Sequence, residues 1–116
     1  MYKYGVIDIA NWFLSKEPMV HRKLQKLCYY AQAWHLAFTD KKLFANDFEA
    51  WAHGPVCRAL WSELKDYGFN NIETNHFSHS KKIEDEIVLN VLNEVWRVYG
   101  NASAFALESV VITLKK

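Results

Sequence analysis

The chain has 116 residues, of which 51% are hydrophobic and 16% aromatic, and these values fit one small domain rather than a disordered or fibrous chain. The 14 basic and 13 acidic side chains nearly cancel, which excludes a general electrostatic attraction to nucleic acid or to an anionic membrane. No apolar run approaches the ~20 residues that span a bilayer, and the N-terminus lacks the apolar core of a secretory signal.

Apolar residues at helical spacing predict two helices in the first third of the chain. The first covers residues 6–15 and ends before Pro18, because the residue before a proline disfavours helical dihedrals. The second covers about residues 20–38 and is apolar nearly all round, which is typical of a helix at the centre of a domain.

The middle of the chain predicts a small β-hairpin followed by a short helix. Residues 43–44 and residues 48–51 are the two predicted strands. A helix over about residues 55–67 then begins with Pro55 at its first position and ends at Gly68 as a C-terminal cap.

Residues 81–99 predict an amphipathic helix, with acidic side chains in its first turns and Arg97 in its last turn, as the helix dipole favours. Ser103 is a candidate cap for a last short helix through Leu107 and Val110, and the β-branched end after that fits helix or strand. Together these elements predict a single α+β domain over residues 1–116. It is mostly α, with a small β-hairpin against a central apolar helix.

Candidate catalytic and metal-binding side chains do not converge in the sequence. His53 and Cys57 are four residues apart and His76 and His79 are three apart, but neither pair has the further ligands that zinc needs. A helix start could lower the pKa of Cys57, yet no orienting group or oxyanion hole accompanies it, and Cys28 lies on a buried apolar stripe. We therefore predict no metal site, no cofactor and no enzymatic activity. The two cysteines are too few to cross-link a secreted domain, so we expect reduced thiols in a cytoplasmic protein.

A DNA-binding alternative rests on residues 6–38, where two helices and a short turn fit a helix-turn-helix. Arg22, Lys23 and Lys26 lie in the first turns of the second helix, which we expect to be exposed. Two features oppose this alternative. The second helix becomes heavily aromatic, and charge is divided along the chain: residues 1–42 carry seven basic and three acidic side chains, and residues 43–100 carry five basic and nine acidic ones. This division, +4 against −4, favours a protein partner over nucleic acid.

The eighteen aromatic residues exceed what a core of this size encloses, which predicts one exposed aromatic groove. Trp, Tyr and Arg side chains most often dominate the energy of protein interfaces, so the groove is a predicted protein-binding surface. The expected contact residues are Lys23, Lys26, Tyr30, Trp34, Trp51, His53, Gly54 and Pro55. Among them the rings are expected to anchor the partner, and Gly54 and Pro55 to shape the loop.

Three stretches of the sequence resemble the Panacea domain. They are the opening helix at residues 9–14, the run at residues 23–34, and the run at residues 48–56 with residues 65–68 after it. The resemblance covers about residues 5–108. It implies a non-enzymatic bacterial or phage protein, related to SocA-type antitoxins and phage-associated GepA-like proteins. Such a protein neutralises a partner toxin by direct contact, in some members as a protease adaptor.

After about residue 108 the chain departs from the family pattern, which usually continues with a Thr-His motif, a tryptophan and a further helix. The C-terminal part of the domain therefore looks missing or replaced. A shortened, divergent member also fits an inhibitor of a host defence nuclease carried by a phage or mobile element. This anti-CRISPR-like role stays open beside the antitoxin role.

Overall fold

The computed structural model describes residues 2–104, 106 and 107 of the chain. The elements in this part, in chain order, are α1 (Val6–Leu14), α2 (His21–Thr39), β1 (Glu49–Trp51), β2 (Gly54–Val56), α3 (Arg58–Leu64), a 3-10 helix (Lys65–Tyr67) and α4 (Glu86–Tyr99). The predicted fold class is confirmed: the domain is α+β and mostly α, with a small antiparallel hairpin. None of the described helices is long and apolar enough to cross a membrane.

α2 is the centre of the fold, as its nearly uniform apolarity predicts. α1, α3, α4 and β2 all contact it. Leu24, Leu27 and Ala31 are completely buried within the resulting core. The helix ends at Asp40, which adopts the left-handed conformation (φ 60°) and donates its N–H to the Leu36 carbonyl at 2.8 Å.

The hairpin lies further along the chain than the sequence predicts. β1 pairs with β2, so residues 43–44 form no strand, and Gly54 and Pro55 belong to a strand instead of beginning a helix. Gly54 has a φ of +116°, which favours glycine, and the chain reverses over Ala52 and His53. Pro55 is tolerated because a two-stranded sheet consists of edge strands, where one face of the backbone needs no N–H donor.

Helix α3 is shorter than predicted because Cys57 precedes it as the N-cap and its first helical residue is Arg58. The chain continues as the 3-10 helix to Tyr67. Gly68 then ends this helical stretch with a φ of 56°, which confirms the predicted glycine stop.

Helix α4 begins at residue 86 instead of residue 81. Asp85 caps it by accepting the Val88 N–H at 3.1 Å. The residues before it are held by the N-terminal part of the chain, since the Asp85 N–H donates to Tyr4 Oη at 3.1 Å and the Lys81 N–H donates to the Asp8 carboxylate at 2.7 Å. Long-range contacts at Tyr4 and Asp8 therefore replace the first turn that the sequence pattern favours.

The last described residues contain the predicted serine cap. Ser103 Oγ accepts the Ala106 N–H at 3.1 Å, and the Ser103 carbonyl accepts the Leu107 N–H at 3.0 Å. The predicted continuation to Val110 and the β-branched end lie outside the described residues. So does the predicted divergence from the family pattern after about residue 108, and the single domain over residues 1–116 stays a prediction.

Candidate functional site

Three of the predicted contact residues meet at a cleft between α2 and the hairpin. Lys26 comes from α2, and Trp51 and His53 come from the hairpin. The cleft has a volume of about 210 Å³, and its other lining residues are His21, Arg22, Gln25, Ala52, Val56 and Trp61. Gly54 adjoins it, because a Cβ at this position would lie 3.2 Å from Lys26 Cε. Glycine therefore allows the turn of the hairpin to lie directly on the lysine side chain.

Two half-buried tryptophans form the aromatic wall of this cleft. The rings of Trp51 and Trp61 meet edge to face, with centroids 5.5 Å apart and an interplanar angle of 63°. A cation lies over each ring: the Arg58 guanidinium is 5.4 Å from the Trp51 centroid, and Lys65 Nζ is 5.3 Å from the Trp61 centroid. Sequence reasoning did not assign Trp61 to the site. Its place on the first turn of the helix that directly follows the hairpin is the signal that could have located it.

The orientation of Trp51 is fixed by a carboxylate on the same strand. Glu49 accepts two hydrogen bonds from Arg58, each 2.9 Å long, and a third from Trp51 Nε1 at 3.1 Å. The Arg58 contacts, followed by the Trp51 contact, lower the pKa of Glu49 to about 2. The carboxylate is therefore ionised at neutral pH and holds the indole and the guanidinium in one arrangement.

The hairpin is attached to α2 through the buried amide of Gln25. Gln25 Oε1 accepts the Cys57 N–H at 2.8 Å, and Gln25 Nε2 donates to the Cys57 carbonyl at 3.1 Å. Both backbone polar groups of one residue are thus paired by one side chain, as they would be by a neighbouring strand.

A second glutamine, two helical turns later, repeats this arrangement. Gln32 Oε1 accepts the Leu43 N–H at 2.6 Å, and Gln32 Nε2 donates to the Phe44 carbonyl at 2.8 Å. Gln25 and Gln32 are seven residues apart, so they lie on one face of α2. Sequence reasoning missed both residues. Two glutamines seven residues apart in a helix predicted to lie at the centre of the domain were the available signal.

Lys23 and Lys26 are buried, which corrects the prediction of an exposed basic helix start. Only 9% of Lys23 and 1% of Lys26 are accessible to solvent. Lys23 Nζ donates to the Gly100 carbonyl at 2.5 Å, at the C-terminus of α4, where the helix dipole favours a cation, and it lies 3.4 Å from Glu17. The helix-turn-helix alternative relied on these two lysines together with Arg22, and burial removes both lysines as contacts for DNA phosphates.

Tyr30 and Trp34 belong to a second aromatic cluster, away from the cleft. Tyr30 is stacked on Tyr99 of α4, with centroids 4.0 Å apart and an interplanar angle of 11°. Trp34 meets Tyr99 at 5.6 Å and the exposed Phe38 at 6.2 Å. Burial raises the pKa of the Tyr30 hydroxyl, with Tyr99 and Tyr29 as smaller causes. The structure thus divides the eight predicted contact residues between the two sides of α2.

The two thiols are not activated for catalysis. Burial raises the pKa of Cys28 well above its usual range, and burial is also the largest cause of the raised pKa of Cys57. For Cys57 this is the opposite of the lowered pKa that its position at a helix start suggests. Within the described part of the chain, no group of three or more His, Cys, Asp and Glu side chains could hold a metal ion. His76 Nδ1 instead lies 2.8 Å from Tyr67 Oη.

The described structure is that of a small, mostly helical domain with an aromatic cleft beside its hairpin. The chain belongs to the family described as Antitoxin SocA-like, Panacea domain, whose model matches residues 24–114. This match confirms the resemblance that the sequence motifs indicate. It includes the hairpin, α3 and α4 in full, and with them both tryptophans of the cleft. No curated protein matches the chain, and no solved structure matches it either.

Proposed function

We propose that this protein is an antitoxin that neutralises a toxin protein by direct contact, and that the cleft between α2 and the hairpin is the contact surface. Membership of an antitoxin-like family supports a role in a toxin–antitoxin system. The observation that carries the choice of surface is the convergence of Trp51, His53 and Trp61 on one concave site. Tryptophan is among the side chains that most often dominate interface energies, and both tryptophans here are half-buried.

The hydrogen bonds that position this surface support the proposal. Trp51 is held by Glu49, and the hairpin is held on α2 by Gln25. Side chains that are already ordered lose little conformational entropy when a partner binds, so more of the contact energy appears as affinity. The proposed mechanism is steric: the bound domain covers the active region of the toxin.

The proposal contains no enzymatic step and places the protein in the cytoplasm. The raised pKa values of both buried thiols support the first part, because a nucleophilic cysteine requires the thiolate. Two reduced cysteines, both buried, fit the second part. Delivery of the toxin to a protease would be an additional activity of the same complex.

A matched pair of tryptophan variants tests this proposal. The chain is co-expressed with the product of the adjacent gene, as wild type, Trp61→Ala or Trp34→Ala. Both rings are half-buried, so the two truncations remove comparable packing. Trp61→Ala is expected to weaken binding at least about 30-fold and to abolish growth rescue, since a central interface tryptophan contributes about 2 kcal/mol or more. Trp34→Ala is expected to keep rescue.

Thermal melts of both variants establish that they are folded. Loss of rescue with Trp34→Ala but not with Trp61→Ala would move the contact surface to the second aromatic cluster. Failure of the wild type to rescue growth or to co-purify with the toxin would reject the antitoxin function. An assay of a purified defence nuclease would then test the inhibitor role.

A further inference from the structure

We propose that the toxin docks partly through its own backbone: an extended segment of the toxin adds a third strand to the sheet, along the outer edge of β1. This inference rests on the proposed function, and it specifies the form of the partner at that surface. It is carried by the direction of the backbone groups of β1, by the closure of the opposite edge of the sheet, and by the continuity of β1 with the cleft.

The register of the hairpin determines which backbone groups of β1 face outward. Ala50 lies opposite Pro55. In an antiparallel pair, opposite residues alternate between those that exchange two backbone hydrogen bonds and those that exchange none. Pro55 has no N–H, so Ala50 and Pro55 are a pair of the second kind. The N–H and the carbonyl of Ala50 therefore point away from β2, while those of its neighbours Glu49 and Trp51 face β2.

The outer edge of β1 is open. Glu49 and Ala50 are exposed, and Trp51 is half-buried. Within the described part of the chain, the N–H and the carbonyl of Ala50 have no hydrogen-bond partner. An adjacent N–H and carbonyl at the edge of a sheet are the groups that an added strand pairs with. This edge is therefore accessible to an extended segment of another protein.

The opposite edge of the sheet is closed. All three residues of β2 are buried. On the side that faces away from β1, Pro55 offers no donor, and the N–H and the carbonyl of Cys57 are bound by Gln25. Of the two edges of the hairpin, the one at β1 is thus the edge that can accept a new strand.

β1 also lacks the residues that usually prevent pairing at an edge. Natural edge strands carry lysines, prolines or bulges for this purpose. The centre of β1 is an alanine, and its one charged side chain, Glu49, is bound by Arg58 and by Trp51 Nε1. The strand is only three residues long, which confines backbone pairing to Ala50. We therefore expect the added strand to orient the toxin segment, and the side chains to supply most of the affinity.

The open edge and the cleft form one surface because Trp51 belongs to both. Its ring lines the cleft, and in the chain it directly follows Ala50. Side chains alternate along a strand, so the toxin residue next to the one opposite Ala50 lies on the Trp51 face of the sheet. Cross-strand pairs favour an aromatic or β-branched residue beside an aromatic one. The toxin segment is thus expected to be an alternating strand with its apolar side chains toward Trp51.

Hydrogen exchange tests the pairing in the wild type. Exchange of the Ala50 amide is measured by NMR in the free ¹⁵N-labelled chain and in its complex with the product of the adjacent gene. This amide is expected to exchange at least about 100-fold more slowly in the complex, because the added strand accepts its hydrogen bond and excludes water. The amides of Glu49 and Trp51 face β2, so they report separately on whether the hairpin is intact.

A matched pair of variants at one position separates the backbone from the side chain. Ala50→Pro removes the outward N–H without breaking a bond to β2, because proline is tolerated where the N–H faces solvent. Ala50→Val keeps the N–H and enlarges the side chain. Ala50→Pro is expected to weaken toxin binding about tenfold or more, and Ala50→Val is expected to change it by less than about twofold. The amide signals of Glu49 and Trp51 establish that both variants keep the hairpin.

An Ala50 amide that exchanges equally fast in both states would overturn the inference, and so would equal toxin affinity of Ala50→Pro and wild type. If Ala50→Pro does not fold, the exchange experiment on the wild type decides alone. Protection of Ala50 in the free chain that rises with protein concentration, with a dimer in sedimentation, would assign the edge to a second copy of the chain instead.

The same experiments distinguish failure of this inference from failure of the proposed function. A wild type that does not bind the toxin rejects both. Toxin that binds the wild type and not Trp61→Ala, with an unprotected Ala50 amide in the complex, rejects the added strand and leaves the proposed function standing.

Discussion

The two sides of α2 carry similar residues but differ in what those residues do. Toward α4, Lys23 donates to the Gly100 carbonyl and Tyr30 is stacked on Tyr99, so these side chains join two helices and close the core. Toward the hairpin, Gln25 holds both backbone polar groups of Cys57, and Lys26, three residues after Lys23, lies buried against Gly54 beside an open cleft. Residue type alone therefore does not show whether a side chain of α2 joins two helices or lies beside the cleft. The element that packs on each side of α2 determines this.

The largest loss of stability is expected when the hydrogen bonds between α2 and the end of the hairpin are removed. Gln25→Leu leaves the Cys57 N–H buried without a partner, which costs about 1–3 kcal/mol. It also removes one of the two hydrogen bonds to the Cys57 carbonyl, worth about 1 kcal/mol, while the Trp61 N–H remains bound there. We expect a loss of about 3 kcal/mol in the free energy of unfolding, measured by urea denaturation. The control Glu94→Gln changes an exposed ion pair and is expected to cost less than about 0.5 kcal/mol. A loss below about 1 kcal/mol for Gln25→Leu would mean that ring packing, and not the amide, holds the hairpin.

An intermediate loss of stability is expected when the contact between α2 and the C-terminus of α4 is removed. Lys23→Met keeps the length and the apolar stem of the side chain but leaves the Gly100 carbonyl without its charged donor at the helix terminus. We expect a loss of about 2 kcal/mol in the same urea experiment. Toxin affinity of the folded variant is expected to be unchanged. If Lys23→Met has normal stability but weakened toxin binding, Lys23 is a contact residue and the α4 side of α2 belongs to the binding surface.

The smallest effect is expected from acid titration of the hairpin surface. The pKa of Glu49 is about 2 in the folded chain, against an ordinary value of 4.5. Its contribution to stability is therefore fully present above about pH 4.5 and is lost as the pH falls toward 2. In thermal melts between pH 7 and pH 2.5, the melting temperature of the wild type is expected to exceed that of Glu49→Gln at neutral pH, and this difference is expected to shrink as the pH falls across this window. A difference that stays constant with pH would show that the Arg58 contacts do not stabilise the fold.

The fold class followed from the sequence because it depends on local patterns. The apolar residues of α2, the strand pattern before Trp51 and the glycine stop at Gly68 are all encoded within one or two turns of chain. β2 escaped prediction because a strand of three residues that contains Pro55 has no periodicity to detect. Its partner strand and the φ of Gly54 define it instead.

The candidate site was only partly predictable, for a different reason. Trp51, His53 and Gly54 lie within one motif, so a resemblance to a family could single them out together. The burial of Lys23 and Lys26 depends on elements that follow α2 by many residues. The role of Gln25 depends on the backbone of a residue 32 positions later in the chain. Single-sequence patterns hold no information on such distances.

The paired glutamines on α2 also bear on how this domain can change over time. Gln25 and Gln32 form hydrogen bonds with backbone groups at positions 57, 43 and 44. Every residue type except proline has the same backbone N–H and carbonyl at these positions. The attachment of these segments is therefore indifferent to most substitutions along residues 43–57. Aromatic and charged side chains of the hairpin can therefore be substituted to fit a new partner while the hydrogen bonds that attach the hairpin to α2 are kept.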